Sequence, residues 1–424
     1  MQHSSKVILM DNINWLTKKI QASKEFQDEA YREVNELAIR ERQGRVLTLI
    51  DGKILVDFAS CSYLGLDQDP RVIAYACKNM AKYGITFPIA RTRIRVENFI
   101  RLEALLNRIF CNSYTVVFSS LHLTHLGILP LLGSGELPSY PLSQQGVVFI
   151  LDKTVHSSIH INRALLGQFG HVLIADFTDK AAILSCLESS AKENKTPITI
   201  ADGIGSMGGL APVKWLIEMM EKYNGYVYFD DAHGTSILGK YGCGYVLDCL
   251  GNTFHPRLLL TTSLAKAFGS VAGVIAVATA EDQAVIKRFC PTYVFGGPPA
   301  LPVVDAAIAS AEIHLTDEIA VLQQKLWGNL AYFDSLNRVR VINHGIYSPI
   351  RCLEIGDEHK AIACGKELRK RGFAVTTAMY PTVAKGKSIL RLAFSAEHTK
   401  SQIDNLITHI HHLLQIEELT AYET

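Results

Sequence analysis

The chain has 424 residues, 48% hydrophobic and 20% charged, which is long enough for more than one core and too apolar for a disordered protein. Forty-two Lys and Arg against 41 Asp and Glu leave a net charge of +1, so no global electrostatic pull on nucleic acid or acidic membranes is expected. No apolar run reaches the ~18 residues needed to span a bilayer, the N-terminus lacks a signal-peptide pattern, and the nine cysteines lie scattered without a C-x-x-C pair. Reduced thiols in a cytoplasmic protein are the expectation.

Residues 12–43 carry apolar positions at spacings of three and four and predict a helical arm. Two short β-rich runs, Arg45–Ile50 and Lys53–Phe58, flank Asp51-Gly52 and predict a hairpin. Strand-like runs then recur at Tyr114–Phe118, Val147–Leu151, His171–Ala175, Ile198–Ala201, Tyr226–Phe229, Leu258–Thr261 and Val274–Val277. Helical stretches separate most of them, which predicts a seven-stranded, mainly parallel α/β sheet covered on both faces. After Pro302 a single long helix over Val303–Ser335 leads to an α+β tail. Its expected strands are Val339–Ile342, Ile350–Glu354, Phe373–Thr376 and Ile389–Phe394, closed by a helix over Thr399–Leu414. The expected domains are residues 1–60, an arm and hairpin; 61–302, a large domain; and 303–424, a small one.

Asp230 and His233 stand where the run Tyr226–Phe229 ends, and Lys266 follows the next strand within Ser263-Leu264-Ala265-Lys266-Ala267-Phe268-Gly269. Ligands of open α/β sheets bind outside such strand ends. A lysine amine that forms a Schiff base and an acid that keeps a pyridine nitrogen protonated are the requirements of pyridoxal 5'-phosphate (PLP) chemistry. Each residue also has a plainer reading. Asp-x-x-His before a helix is a common cap, and Asp231 shares that option. Most lysines are solvated, and a lone His156 more often caps a helix than touches a ligand. Gly269 and Gly273 are expected to let a ligand approach the backbone. No metal site is expected. The pair His156 and His160 lacks a third ligand, His122 and His125 read as one helical face, and His409, His411 and His412 read as a solvated one.

The motifs in order are Tyr63-Leu64-Gly65-Leu66, Phe118-Ser119-Ser120, Asp152 to Ser157, Ser206-Met207-Gly208-Gly209 with Ala211-Pro212, Asp230 to Gly234, Ser263 to Gly269, and Leu390-Arg391-Leu392. With them the chain resembles the α-oxoamine synthases, PLP enzymes of fold type I, from about Val56 to His412. The resemblance implies that Lys266 carries PLP and later moves the α-proton of the substrate. It implies that Asp230 pairs with the pyridine nitrogen, His233 bonds the phenolic oxygen and His156 stacks on the ring. Ser206 is implied on the oxygen side and Ser263 at the phosphate, with Ser120, Leu121 and His122 forming the phosphate turn. Arg391 is implied to clamp the substrate carboxylate, and Arg91 to belong to the substrate wall.

The implied reaction condenses an amino acid with an acyl thioester, carried by coenzyme A or an acyl carrier protein, with loss of CO2, in a homodimer with active sites at its interface. The chain departs from the family in four places, one of them Ser236 where the His-x-x-Gly stretch usually has glycine. The phosphate turn, S-G-aromatic in the family, is Ser120-Leu121-His122, and a leucine takes positive φ only under strain. The family's Gly/Ser-rich loop is the apolar Gly84 to Arg91, and its Phe-Ser-Thr stretch is Phe295-Gly296-Gly297. Competing readings are an aminotransferase and a non-catalytic subunit that kept the fold.

Overall fold

A computed structural model of the chain describes residues 3–421, with side chains over residues 17–414. Two compact units emerge, residues 61–327 and residues 1–60 together with 328–424. The expected division at 60 and 302 therefore shifts. Residues 1–60 join the C-terminal segment, and 303–327 stay with the large unit. The helix Leu301–His314 explains the second change, because its buried Leu301, Val304, Ala307 and Ile308 share a core with Phe99 and Leu102.

In chain order the strands are β1 (Ile39–Gln43), β2 (Val46–Leu49) and β3 (Ile54–Asp57); β4 (Tyr114–Phe118), β5 (Val147–Asp152), β6 (Gly170–Ala175), β7 (Thr196–Asp202), β8 (Tyr226–Asp230), β9 (Leu258–Ser263) and β10 (Gly273–Val277); and β11 (Val341–Ile342), β12 (Ile350–Gly356), β13 (Phe373–Ala374), β14 (Thr376–Ala378) and β15 (Ser388–Ala393).

The large unit is built on one seven-stranded sheet in the order β4-β10-β9-β8-β7-β5-β6. β10 runs antiparallel to both its neighbours, and the remaining pairs are parallel. Alternation along each strand sends side chains to opposite faces. Val227 and Phe229 enter one core, while Tyr226 and Tyr228 enter the other. Both faces are thus filled with apolar side chains, which is why the strands read as nearly continuous hydrophobic runs. β7, β8 and β9 continue one or two residues past the runs read from the sequence and carry Asp202, Asp230 and Ser263 at the ends of the ladder.

The smaller unit holds two four-stranded sheets, ordered β1-β2-β3-β13 and β11-β12-β15-β14. Three local expectations change. The arm is a helix only to Glu33, because residues 39–43 pair with β2 instead of continuing it. The run Phe373–Thr376 serves two sheets, with Phe373–Ala374 parallel to β3 and Thr376–Ala378 antiparallel to β15. The helix expected over Val303–Ser335 is two helices, Leu301–His314 within the large unit and Glu318–Leu336, whose residues from Gly328 onward belong to the smaller unit. Thr316 makes that break. Its hydroxyl donates to the Ile313 carbonyl at 2.7 Å and accepts from the Glu318 amide at 3.3 Å, supplying a stop and a start within three residues.

A buried ion pair organises the smaller unit. Arg45 and Asp57 meet at 3.2 Å with almost no exposure. Asp57 also accepts from the amides of Ala59 and Ser60. His398 stacks on Phe58 at 3.9 Å and donates to the Asp57 carbonyl at 2.9 Å.

Candidate active site

The site lies in the large unit, at the C-terminal edge of the parallel strands. A cleft with about 240 Å³ of empty space is lined by Lys266, Asp230, His233, His156, Asp202, Leu121, Ile204 and Ala232. Four residues singled out in the sequence for the ring thus converge: Lys266, Asp230, His233 and His156.

Lys266 sits in the turn between β9 and β10. That turn is closed by the Leu264 amide donating to Ala272 O at 2.9 Å and the Ser270 amide donating to Leu264 O at 2.8 Å. Gly269 is needed there for another reason than the expected one. At φ +81 its missing Cβ is replaced by Leu66 and Asp67 backbone at 2.6 Å, and Gly273 likewise leaves room for the Ser120 carbonyl at 2.4 Å. Both glycines admit the protein's own backbone.

Asp230 is 4% exposed. Burial favours its neutral form, but the His125 hydrogen bond and the Lys266 charge outweigh it and hold the carboxyl below the usual range. Asp230 Oδ1 accepts from the Ala232 amide at 3.0 Å, and Oδ2 accepts from His125 Nε2 at 3.2 Å. Asp202, its neighbour across the sheet, behaves oppositely. Burial and then the Asp230 charge push it well above the usual carboxylate range, so it stays neutral. Asp202 Oδ1 accepts from the His156 amide at 3.2 Å. His156 is both a helix cap and a wall residue. Its Nδ1 accepts from the Ser158 amide at 3.3 Å, and burial, with Lys266, keeps the imidazole below the usual histidine range. His233 is held through Nδ1 by the Tyr63 hydroxyl at 2.8 Å.

The phosphate turn is rebuilt without strain. Leu121 is the first residue of the helix Leu121–Gly133, so it needs no positive φ. Ser120, at φ −156, is the N-cap and accepts from the Leu123 amide at 3.2 Å. His122 is exposed on the first turn and is not a wall residue. Ser263 accepts from the Ala265 amide at 3.1 Å, and Ser206 lies in the turn bridged by Ile204 and Leu210; neither lines the cleft. Arg91 is 6% exposed, with its guanidinium 3.9 Å from the Tyr293 ring centroid and Nη1 donating to Val117 O at 2.5 Å. It does not reach the cleft wall. Arg391 lies in the smaller unit on β15, paired with Cys352 and Thr376 and 6% exposed.

Sequence reasoning missed Asp202, the hold of Tyr63 on His233, and the pair Tyr228 and His125. For Tyr228 a signal existed. Two residues before Asp230 on a strand, it shares the face of that acid.

The match extends beyond the site. Residues 150–410 fit the family model of aminotransferase class I and II. The chain is 30% identical over 410 residues to 8-amino-7-oxononanoate synthase of Alkaliphilus metalliredigens, covering 94% of this chain and 97% of that protein. The chain belongs to the α-oxoamine synthase family. An 8-amino-7-oxononanoate synthase of Alkaliphilus oremlandii is 29% identical over 93% of this chain and 95% of its own length. Serine palmitoyltransferase from S. paucimobilis superposes with a TM-score of 0.81 at 22% identity, over 95% of this chain and 99% of that one, and so shares the fold. The α-oxoamine synthases are PLP enzymes, and the cleft fits that cofactor. It offers an amine, a buried ionised carboxylate and a neutral imidazole around one space, the donor set a protonated pyridine aldehyde requires.

Proposed function

We propose that this α-oxoamine synthase condenses an amino acid with an acyl thioester of coenzyme A or an acyl carrier protein, releasing CO2 and an α-aminoketone. The observation that carries this is the convergence of Lys266, Asp230, His233 and His156 on one cleft. When bound, PLP supplies the electron sink for a carbanion at the substrate α-carbon. Asp230 would keep the proton on the pyridine nitrogen. His233, oriented by Tyr63, is placed to bond the phenolic oxygen, and His156 offers a flat face. Lys266 Nζ would hold the cofactor and, once released from it, would take and return the α-proton of the substrate. Ser120, Leu121 and His122 lie at the N-terminus of a helix, where backbone amides favour a phosphate. The motifs alone assign Ser206 to the ring oxygen, Ser263 to the phosphate and Arg391 to the substrate carboxylate; Ser206 and Ser263 stand off the cleft wall. Arg91 supports the wall from behind instead of touching substrate.

The acyl chain is proposed to be medium or long, because the loop before Arg91 presents Ile85 and Phe87 as exposed apolar side chains. Exposed Ile94, Phe289 and Phe295 add apolar surface of the kind a second subunit covers, which supports a homodimer. Nine free cysteines fit a reducing, cytoplasmic setting. Among the described residues no helix is long and apolar enough to cross a membrane.

The test is an absorbance spectrum of the purified protein with added PLP, then amino acids, then acyl thioesters of increasing length. A visible band that Lys266→Ala abolishes, shifted by one amino acid and followed by CO2 release with a long acyl donor, is expected. Amino transfer to a keto acid without CO2 release overturns the reaction, and a preference for the acetyl donor overturns the chain-length reading.

A further inference from the structure

Behind Asp230, on the side away from the cleft, two other residues make a polar chain inside an otherwise apolar core. Tyr228 and Asp230 are two residues apart on β8, so both point to one face, with their Cα atoms roughly 6.6 Å apart. That face meets the helix Leu121–Gly133, whose Ile128, Leu129 and Leu132 share the core with Tyr228. From this helix His125 enters between the two. Its Nδ1 lies 2.8 Å from the Tyr228 hydroxyl and its Nε2 lies 3.2 Å from Asp230 Oδ2. Tyr228 and His125 are fully buried.

The hydrogens follow from the partners. A carboxylate only accepts, so Nε2 carries the proton and donates. Burial pushes the Tyr228 phenol well above its usual range, so it keeps an O–H that can donate to Nδ1. An imidazole that donates at Nε2 and accepts at Nδ1 is neutral. In that arrangement Asp230 is steadied by a dipole, not by a cation. An imidazolium at the same place would be an internal counter-ion competing with whatever cation Asp230 faces in the cleft.

We propose that His125, locked in one neutral tautomer by Tyr228, is the positioning residue that orients Asp230 while leaving its full charge for a protonated ring nitrogen. The inference rests on the reading of the cleft as a PLP site. It gives Tyr228 and His125 a shared purpose: a buried tyrosine and histidine in this core otherwise only add polar groups that need satisfying.

The experiment uses the full chain and two readouts. The first is PLP affinity of the apoprotein, titrated by fluorescence for wild type, His125→Phe, His125→Asn and Tyr228→Phe. His125→Phe is expected to weaken PLP about tenfold or more, the worth of a hydrogen bond to a charged group. His125→Asn, whose amide still donates to Oδ2, is expected to recover most of that loss. The second is the ¹⁵N chemical shift of the His125 ring in the labelled apoprotein. It is expected to report a neutral, Nε2-protonated ring in wild type, and a changed tautomer or charge in Tyr228→Phe.

Thermal melting of each apoprotein separates a folding defect, and if His125→Phe does not fold, the asparagine and phenylalanine variants carry the comparison. Wild-type affinity in both His125→Phe and Tyr228→Phe, or an imidazolium signal in wild type, overturns the proposal. If wild type binds PLP and Lys266→Ala loses the visible band while these variants change nothing, the positioning role alone fails. If wild type binds no PLP, the reading of the site fails with it.

Discussion

Asp202 and Asp230 are register partners at the ends of adjacent parallel strands, and their carboxyls are driven apart, Asp202 to the neutral form and Asp230 to the ionised one. Two buried carboxylates side by side do not both ionise, and the one with the hydrogen-bonding histidine and the lysine keeps the charge. Asp230→Asn is therefore expected to weaken PLP binding about tenfold or more, whereas Asp202→Asn changes it by no more than about threefold. Equal losses in the two variants, measured by PLP titration, would show that the charge is shared.

Asp231 lies next to them with no exposure. Its Oδ2 accepts from the Val246 amide at 3.2 Å, and burial raises its carboxyl well above the usual range. The native state then keeps a proton that an unfolded aspartate loses near ~3.9. Between that value and the raised one, stability falls as pH rises, by up to about 1.4 kcal/mol per pH unit. Urea unfolding at several pH values is expected to show the difference in unfolding free energy between wild type and Asp231→Asn changing with this slope, because Asp202, His314 and His398 contribute equally to both proteins. Parallel plots for the two proteins would refute the assignment.

His314 and His398 act in the opposite direction. Burial holds His314 at about 4, and burial with the Arg45 charge holds His398 at about 3. Unfolded histidine protonates near ~6.5, so in the intervening window the unfolded state binds more protons and stability falls as pH drops. Each contributes up to about 1.4 kcal/mol per pH unit below ~6.5. His314→Gln, which keeps an amide for Ser310 and Ser236, is expected to flatten the acid limb of unfolding free energy by that amount relative to wild type. An unchanged limb contradicts a neutral buried His314.

Arg91 makes its interactions within the core, over Tyr293 and on the Val117 carbonyl. Lysine cannot reproduce a planar stack with a directed N–H. Arg91→Lys is expected to lower stability by about 1–3 kcal/mol in urea unfolding with KM for both substrates little altered. A raised KM at unchanged stability would return Arg91 to the substrate wall.

Asp57 shows the same logic in the smaller unit. Burial opposes its ionisation, but Arg45 and the hydrogen bonds of Ser60 and Ala59 win and lower its pKa. Asp57→Ala leaves Arg45 buried without its counter-charge, and a loss of about 3–5 kcal/mol is expected by denaturation. A loss under about 1 kcal/mol would mean that water reaches the pair.

Much of the large unit was legible because its strands are buried on both faces and bounded by turns. The seven runs were found, and Lys266, Asp230, His233 and His156 meet in one cleft as their motifs implied. Ser206, Ser263 and His122 were named with them, yet they stand off its wall. Motif order states which turn a residue occupies but not the direction of its side chain. The break at Thr316 was missed because both helices continue the same apolar periodicity, and a single hydroxyl bonding to both sides makes the stop.

The sequence by itself determined the strand pattern, the family and the placing of Lys266 and Asp230 at neighbouring strand ends, since each is local: a run, a turn, a motif at a strand end. Only the tertiary structure decided that Asp202 is the neutral acid, that Tyr63 holds His233, and that His125 stands behind Asp230. These depend on residues up to 170 positions apart being brought within hydrogen-bond reach, and on burial, which opposes the charge of Asp202 and His156 and has no signature in the order of residues along a chain.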